Sequence, residues 1–321
     1  MTAGGQHSLR VVVTLSDAET QPWMGLFRAA LPDASVERRE PGQPVHPAEE
    51  PADYVVMAEP CSTVFDAQRA PKAVFTASAG VGHLLRLRNL PRDVPVSRLE
   101  DAGMAQPMTR YVLAAALRFL LRLDTYTRQQ GAGAWKQHDP RVPATVRVGV
   151  LGLGVIGGTI ARALAAQGFA VRGYAASAKT IAGVECFAGC DQFAAFLDGV
   201  DLLVDVLPLT PATTGLLDAK SLALLADGAH VINIGRGATL VESDLLALLD
   251  SGKLAGATLD VFAPEPLAPM HPFWTHPRVT VTPHVSGLTV PADAVAQIAA
   301  KIRKFERGEP VTGLVDWTRG Y

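Results

Sequence analysis

The stretch Val146-Arg147-Val148-Gly149-Val150-Leu151-Gly152-Leu153-Gly154-Val155-Ile156-Gly157 decides how the rest of the chain is read. Six residues of β character run straight into three spaced glycines, and residues 159–167 that follow have helical character. A glycine pattern alone is weak evidence, but a strand before it and a helix after it supply the context that phosphate binding needs. Gly152 permits a tight turn, Gly154 lets the main chain approach a diphosphate, and Gly157 lets the helix pack close to the strand. The free amides at the helix start, around Val155 and Ile156, and the positive end of the helix dipole then face the phosphates. The expectation is a dinucleotide site at a βα turn.

Working outward, β-type runs at residues 146–151, 170–174, 202–206, 230–234, 257–261 and 279–282 alternate with helical stretches. Upstream, residues 9–15, 54–58 and 73–76 form a first such series, and the proline-rich residues 41–51 read as a surface loop. Between the series, helical spacing at Tyr111, Leu113, Ala114, Leu117, Leu120, Leu121 and Leu123 predicts one helix over residues 107–130, followed by a linker to Pro143. Pro291 opens a last helix with the apolar stripe Val295, Ile298, Ala299, Ile302 and Phe305; Lys301, Arg303, Lys304 and Arg307 are expected to face water. The expected fold is α/β, with two Rossmann-like or flavodoxin-like domains built on parallel sheets. Residues 1–101 with the returning 288–321 make the first, a substrate-binding domain. Residues 102–287 make the second, a dinucleotide-binding domain, with substrate held in an interdomain cleft that closes against water.

Composition agrees with a globular chain. Of 321 residues, 48 % are hydrophobic and 19 % charged, which excludes a disordered protein. A formal charge of −2 argues against a general nucleic-acid or anionic-membrane binder. The most apolar helical stretch, residues 112–123, is interrupted by Arg118 and Arg122, so no membrane span is expected, and residues 1–10 do not read as a signal peptide. Cys61, Cys186 and Cys190 are too few and too irregular for a disulfide scaffold. The Cys186/Cys190 pair lacks a second ligand pair, so no metal site is expected. A cytoplasmic location follows.

The end of the second strand of this series should read the adenine ribose. NAD-selective sites place Asp or Glu there. The residue at that position is Ala175, followed by Ser177 and Lys179, so nothing repels a 2′-phosphate and two side chains can donate to one. NADP(H) is therefore expected over NAD(H), although NAD(H) binding stays possible, with no Arg beside the Lys to grip the phosphate in bidentate fashion.

Three further strand ends carry the chemistry. Asn233-Ile234-Gly235-Arg236-Gly237 ends one strand, Leu259-Asp260-Val261-Phe262-Ala263-Pro264-Glu265-Pro266 another, and Val281-Thr282-Pro283-His284 a third. In an open parallel sheet the carboxyl ends border the ligand crevice, so Arg236, Glu265 and His284 converge on one rim. His46, His138, His271, His276 and His7 lie in polar or proline-rich stretches and are expected to be exposed, while His230 opens a strand and reads as structural.

With these segments in hand, the chain resembles the D-isomer-specific 2-hydroxyacid dehydrogenase family, and within it is most similar to the glyoxylate/hydroxypyruvate reductase A type. The likeness also covers Ala79-Gly80-Val81, the helix from Gln106 with Trp135, Leu207-Pro208-Leu209-Thr210, and the closing Arg319-Gly320-Tyr321. It implies reduction of a small 2-oxo acid to a D-2-hydroxy acid. His284 would exchange the proton, Glu265 would favour the imidazolium, and Arg236 would bind the substrate carboxylate and polarise the ketone. Asp260 would orient the nicotinamide amide, and the amides of Ala79, Gly80 and Val81 would meet the carboxylate. Leu207, Pro208, Thr213, Ile234 and Gly235 would line the cofactor. A homodimer is implied by the same resemblance. The sequence departs from the family at Gly82-His83, where an Asp often follows, and at Met57-Ala58-Glu59-Pro60, where a Trp is common. Ala58 leaves room for a bulkier 2-oxo acid, and a nucleotide-sensing module of the same fold is the reading from another class.

Overall fold

The computed structural model describes residues 8–16, 20–46, 49–66 and 70–318; His7, the 319–321 segment and the side chain of His83 lie outside the described residues. In chain order the elements begin with β1 (Leu9–Thr14), α1 (Thr20–Ala30), β2 (Ala34–Arg39), β3 (Tyr54–Met57), β4 (Ala73–Thr76), α2 (Gly82–Leu85) and β5 (Val96–Ser97). They continue through α3 (Ala105–Leu120), α4 (Leu123–Gly131), β6 (Arg147–Leu151), α5 (Val155–Ala166), β7 (Ala170–Ala175), β8 (Val184–Ala188) and α6 (Phe193–Leu197). The last are β9 (Leu202–Asp205), α7 (Ala219–Ala223), β10 (Ala229–Asn233), α8 (Glu242–Asp250), β11 (Leu254–Leu259), β12 (Val279–Val281) and α9 (Pro291–Glu306).

Contacts divide the chain into two compact units, Met1–Gly103 with Thr289–Tyr321, and Met104–Leu288. The first holds a parallel five-stranded sheet in the order β2-β1-β3-β4-β5, the flavodoxin-like order. Its core includes the fully buried Val11, Val13, Tyr54 and Phe75, and α1 packs on α9. The second holds a parallel seven-stranded sheet, β12-β11-β10-β9-β6-β7-β8. Chain order reverses between β6 and β9, and the carboxyl ends on either side of such a switch point border a crevice for ligands. Leu151, Leu203, Val231, Ala257 and Leu259 are almost wholly buried in its core, as strands covered on both faces must be.

The structure differs from the sequence reading in four places. Strands β2, β5 and β8 were not expected. Strand β2 is mostly polar, and it is held at the sheet edge by a bidentate Arg10–Glu37 pair at 3.0 and 2.7 Å. The helix expected over residues 107–130 is two helices. Arg122 adopts φ 56°, in the left-handed region, and the Phe119 carbonyl is taken by the Arg122 amide (3.2 Å) and by the Arg141 guanidinium, which lies 3.8 Å from the Phe119 ring centre. Lys301 does not face water: it is buried, with Nζ 2.7 Å from the Arg98 carbonyl, 3.1 Å from Ser97 Oγ and 3.4 Å from Glu100. His138, His271 and His276 are half-buried rather than exposed, bonded to Gln129, Glu242 and Asp250. No helix of the described residues is long and apolar enough to cross a membrane.

Candidate active site

The glycine turn leaves β6 and starts α5. A Cβ on Gly157 would stand 1.8 Å from the Gly152 carbonyl oxygen, so only glycine permits this contact between helix and strand. Gly154 is different: a Cβ there would meet nothing within 4 Å, and the residue is exposed. That open space lies at the N-cap of α5, where no side chain caps the helix and the first amides are left for a ligand. A dinucleotide diphosphate fits this cradle. Strand β7 ends at the buried Ala175, and Ser177 and Lys179 follow it, exposed. Beyond β9, Leu207 is half-buried and Pro208 exposed. Thr213 donates to the Pro208 carbonyl at 2.7 Å and accepts from the Thr210 amide at 2.8 Å, bracing that turn.

Beyond β10, Ile234 and Gly235 are buried and Arg236 is half-buried, its Nη1 donating to the Gly235 carbonyl at 2.6 Å. A Cβ on Gly237 would lie 2.0 Å from the Phe262 carbonyl carbon, which explains why Arg236 is followed by glycine: the β10 and β11 loops touch. Burial lowers the pKa of the Arg236 guanidinium, and the Glu265 carboxylate opposes that shift. An arginine so placed stays charged at neutral pH.

Glu265 and His284 meet directly: His284 Nδ1 and Glu265 Oε2 are 2.8 Å apart, while Glu265 Oε1 accepts the Phe262 amide at 2.9 Å. Because the carboxylate only accepts, Nδ1 carries the hydrogen and Nε2 is left to exchange a proton. His284 has φ 54°, a left-handed conformation uncommon for a residue with a Cβ and worth of order 1–3 kcal/mol of strain. What holds it there is Asp260. The His284 amide donates to the Asp260 carbonyl at 2.8 Å, Val285 N reaches Oδ1 and Ser286 N reaches Oδ2, both at 2.9 Å. Thr282 Oγ1 spends its single hydrogen on Asp260 Oδ1, so the Tyr111 hydroxyl, 2.7 Å from Thr282 Oγ1, donates to it. The residue expected at the nicotinamide amide is thus fully buried and occupied with its own loop.

Arg236, Glu265 and His284 are therefore brought together from three strand ends within the second unit. In the first unit, Ser78 Oγ donates to the Gly80 carbonyl at 2.7 Å, and among the described residues the amides of Ala79, Gly80 and Val81 donate to no partner. Sequence reasoning missed Asp205, Asn233 and Thr239, a buried polar group under the Arg236 main chain. Asp205 and Asn233 end strands as many ordinary residues do, and the contact that joins Asp205 to Thr239 spans 34 positions.

Comparison with known proteins gives one consistent family. Residues 113–286 match the model of the D-isomer specific 2-hydroxyacid dehydrogenase NAD binding domain. A glyoxylate/hydroxypyruvate reductase A from Serratia proteamaculans (strain 568) is 45 % identical over 306 residues, 94 % of this chain and 96 % of that protein. The protein of the same name from Yersinia enterocolitica is 41 % identical over 308 residues, 94 % and 97 % of the two chains. A D-isomer specific 2-hydroxyacid dehydrogenase from Xanthobacter autotrophicus Py2, solved in complex with NADPH and MES, superposes with a TM-score of 0.90 at 40 % identity, covering 98 % of this chain and all of that one. An NADPH-dependent glyoxylate/hydroxypyruvate reductase from Sinorhizobium meliloti, solved with NADP and sulfate, gives 0.89 at 35 % identity over 97 % and 100 %. With the glycine cradle, the Arg, Glu and His strand ends and these likenesses all in agreement, the chain belongs to the D-isomer-specific 2-hydroxyacid dehydrogenase family.

Proposed function

We propose that the protein reduces a small 2-oxo acid of the glyoxylate or hydroxypyruvate class to a D-2-hydroxy acid, with NADP(H) preferred. The observation that carries the reading is the 2.8 Å His284–Glu265 pair set beside the Arg236 cation. The names and bound cofactors of the relatives support it.

When bound, the reduced nicotinamide supplies the hydride. The chain's own residues do the rest. The Arg236 guanidinium takes the substrate carboxylate and lies where negative charge grows on the ketone oxygen. We assign the free amides of Ala79, Gly80 and Val81 to substrate binding as well. The imidazolium of His284 gives its Nε2 proton to the ketone oxygen, and in the reverse direction Nε2 removes it. Glu265 keeps Nδ1–H oriented, which leaves Nε2 for the substrate. Gly152, Gly154, Gly157 and the amides of Val155 and Ile156 are assigned to the diphosphate, and Leu207, Pro208, Ile234 and Gly235 to the walls of the cofactor site. Ala175, without a carboxylate, and Ser177 and Lys179, as donors, are assigned to a ribose 2′-phosphate.

Twofold dimerisation completes the reading, with Leu121, Leu123, Val142 and Trp135, each exposed (57, 42, 55 and 100 %), as its candidate apolar contacts. Three free thiols fit a reducing, cytoplasmic compartment. The test is an absorbance assay at the nicotinamide band with a panel of small and bulky 2-oxo acids and both cofactors. Turnover of glyoxylate or hydroxypyruvate with NADPH ahead of NADH is expected. Tight cofactor binding without turnover of any acid would instead support a nucleotide sensor.

A further inference from the structure

Asp205 ends β9, level with Leu151 of β6 and Asn233 of β10, and is fully buried. One carboxyl oxygen, Oδ1, accepts the Leu207 amide at 2.9 Å; the other, Oδ2, faces the Thr239 hydroxyl. That hydroxyl also lies 2.6 Å from the Arg236 carbonyl oxygen. Asn233 completes the group, its Nδ2 3.2 Å from the Arg236 carbonyl and its Oδ1 accepting the Gly235 amide at 3.0 Å.

We propose that Asp205 is a positioning residue for the reaction, acting through Thr239 on the main chain of Arg236 to fix the guanidinium that receives the substrate carboxylate. The proposal rests on the reading of Arg236 given above, and a count of hydrogens carries it. The Thr239 hydroxyl has one hydrogen and faces two acceptors. If Asp205 is ionised, Thr239 must turn to it, and two oxygens are left 2.6 Å apart at the Arg236 carbonyl with no hydrogen between them. If Asp205 carries a proton, that proton goes to Thr239 Oγ1 and the Thr239 hydrogen goes to Arg236, so every contact closes.

The surroundings agree with the protonated form. Leu151, Asn233, Leu207 and Thr239, which face Asp205 from β6, β10 and the two turns, do not titrate, and Arg236, whose carbonyl Thr239 meets, interacts through its guanidinium with Glu265. Burial raises the Asp205 carboxyl from 3.8 to about 6, against the hydrogen bonds from Thr239 and Leu207. The geometry around Arg236 is thus tighter below that pH and looser above it.

The experiment is steady-state reduction of glyoxylate with saturating NADPH between pH 5 and 7.5, with NADPH affinity and thermal melting as controls on folding. In the unsubstituted protein KM should rise about fivefold across this window, the worth of one hydrogen bond, with kcat changing far less. Asp205→Asn keeps a donor toward Thr239 and an acceptor toward Leu207, so its KM should stay low and flat. Asp205→Ala should show a raised KM at every pH, rescued by Asn. His284 is present in both the unsubstituted protein and the Asn variant, so the difference between them isolates Asp205. An Asn variant that keeps the unsubstituted pH profile, or an Ala variant that folds and keeps a low KM, overturns the proposal. Should Asp205→Ala fail to fold, the Asn comparison decides alone. Arg236→Ala separates the two levels: if it leaves KM unmoved, the assignment of Arg236 has failed, whereas a raised KM there with an unresponsive Asp205 sinks only the present inference.

Discussion

The carboxyl-end rim of the seven-stranded sheet has two halves built by opposite means. Around β6 and β7 the proposed cofactor site is made of absences: glycine at 152, 154 and 157, a bare helix start, and alanine at 175, the residue assigned above to the ribose. Around β9 to β12 it is made of buried polar groups, Asp205, Asn233, Thr239 and Asp260, each holding a loop from beneath. The difference follows from the tasks. A diphosphate needs room and free amides, which a small residue provides at once. Proton transfer needs one ring nitrogen aimed at one oxygen, so the backbone must be fixed, here with His284 held at φ 54°.

The sharpest way to break this comparison is to strike each half and ask whether the other responds. His284→Ala removes the proposed proton donor without touching the glycine cradle. It should lower kcat about a thousandfold, within the usual range for a general acid, while NADPH affinity by fluorescence titration stays within about twofold. A matching loss of NADPH affinity would show that the halves are not separable. Gly157→Ala strikes the other side: its Cβ would stand 1.8 Å from a backbone oxygen, so α5 or the turn must move. NADPH affinity should fall about a hundredfold, roughly 2.7 kcal/mol, with a lower melting temperature. Unchanged binding would mean that the turn tolerates displacement and that the tight packing is not what shapes the cradle. Ala175→Asp is gentler, adding a carboxylate at the end of β7. It should shift the ratio of kcat/KM for NADPH over NADH about tenfold or more toward NADH, and an unmoved ratio would remove Ala175 from the ribose site.

The same contrast explains how much could be read from the sequence. The glycine turn was legible because glycine spacing between a strand and a helix is a local signal, and the two parallel sheets followed from the alternation of β runs and helices. Arg236, Glu265 and His284 were legible because charged residues stand at successive strand ends. The supports were not. Asp205 reaches Thr239 across 34 positions and Asp260 reaches Ser286 across 26, and nothing local distinguishes a buried acid with such partners from a solvated one. Strand β2 escaped notice because its edge position is held by ion pairs rather than an apolar alternation. The break between α3 and α4 depends on Arg141 capturing a carbonyl 22 residues away.

The smallest expected effect sharpens the comparison most, because it measures what a buried support costs the fold. Asp205 has a carboxyl raised from 3.8 to about 6 by burial. A raised acid contributes stability below its unfolded value and loses it as pH climbs through the folded value, because the unfolded chain is already ionised while the folded one still holds its proton. Unfolding free energy should therefore decline between about pH 4 and 6 on account of Asp205, by at most roughly 3 kcal/mol. His230, buried at the opposite end of β10 and lowered to about 4 by burial, works in the reverse sense over an overlapping window: its contribution is whole above about 6.5 and is lost as the solution is acidified. A single melting curve against pH would hide both. Asp205→Asn leaves His230 in place and removes only the acid, so the difference in melting temperature between the two proteins should be near zero at pH 4 and grow to a few degrees in favour of Asn by pH 7.5. A difference that stays constant across the window would show that Asp205 does not titrate there. The support beneath Arg236 would then be a fixed acceptor, and its hold on the Arg236 loop, like the shape of the cradle, would owe nothing to a proton.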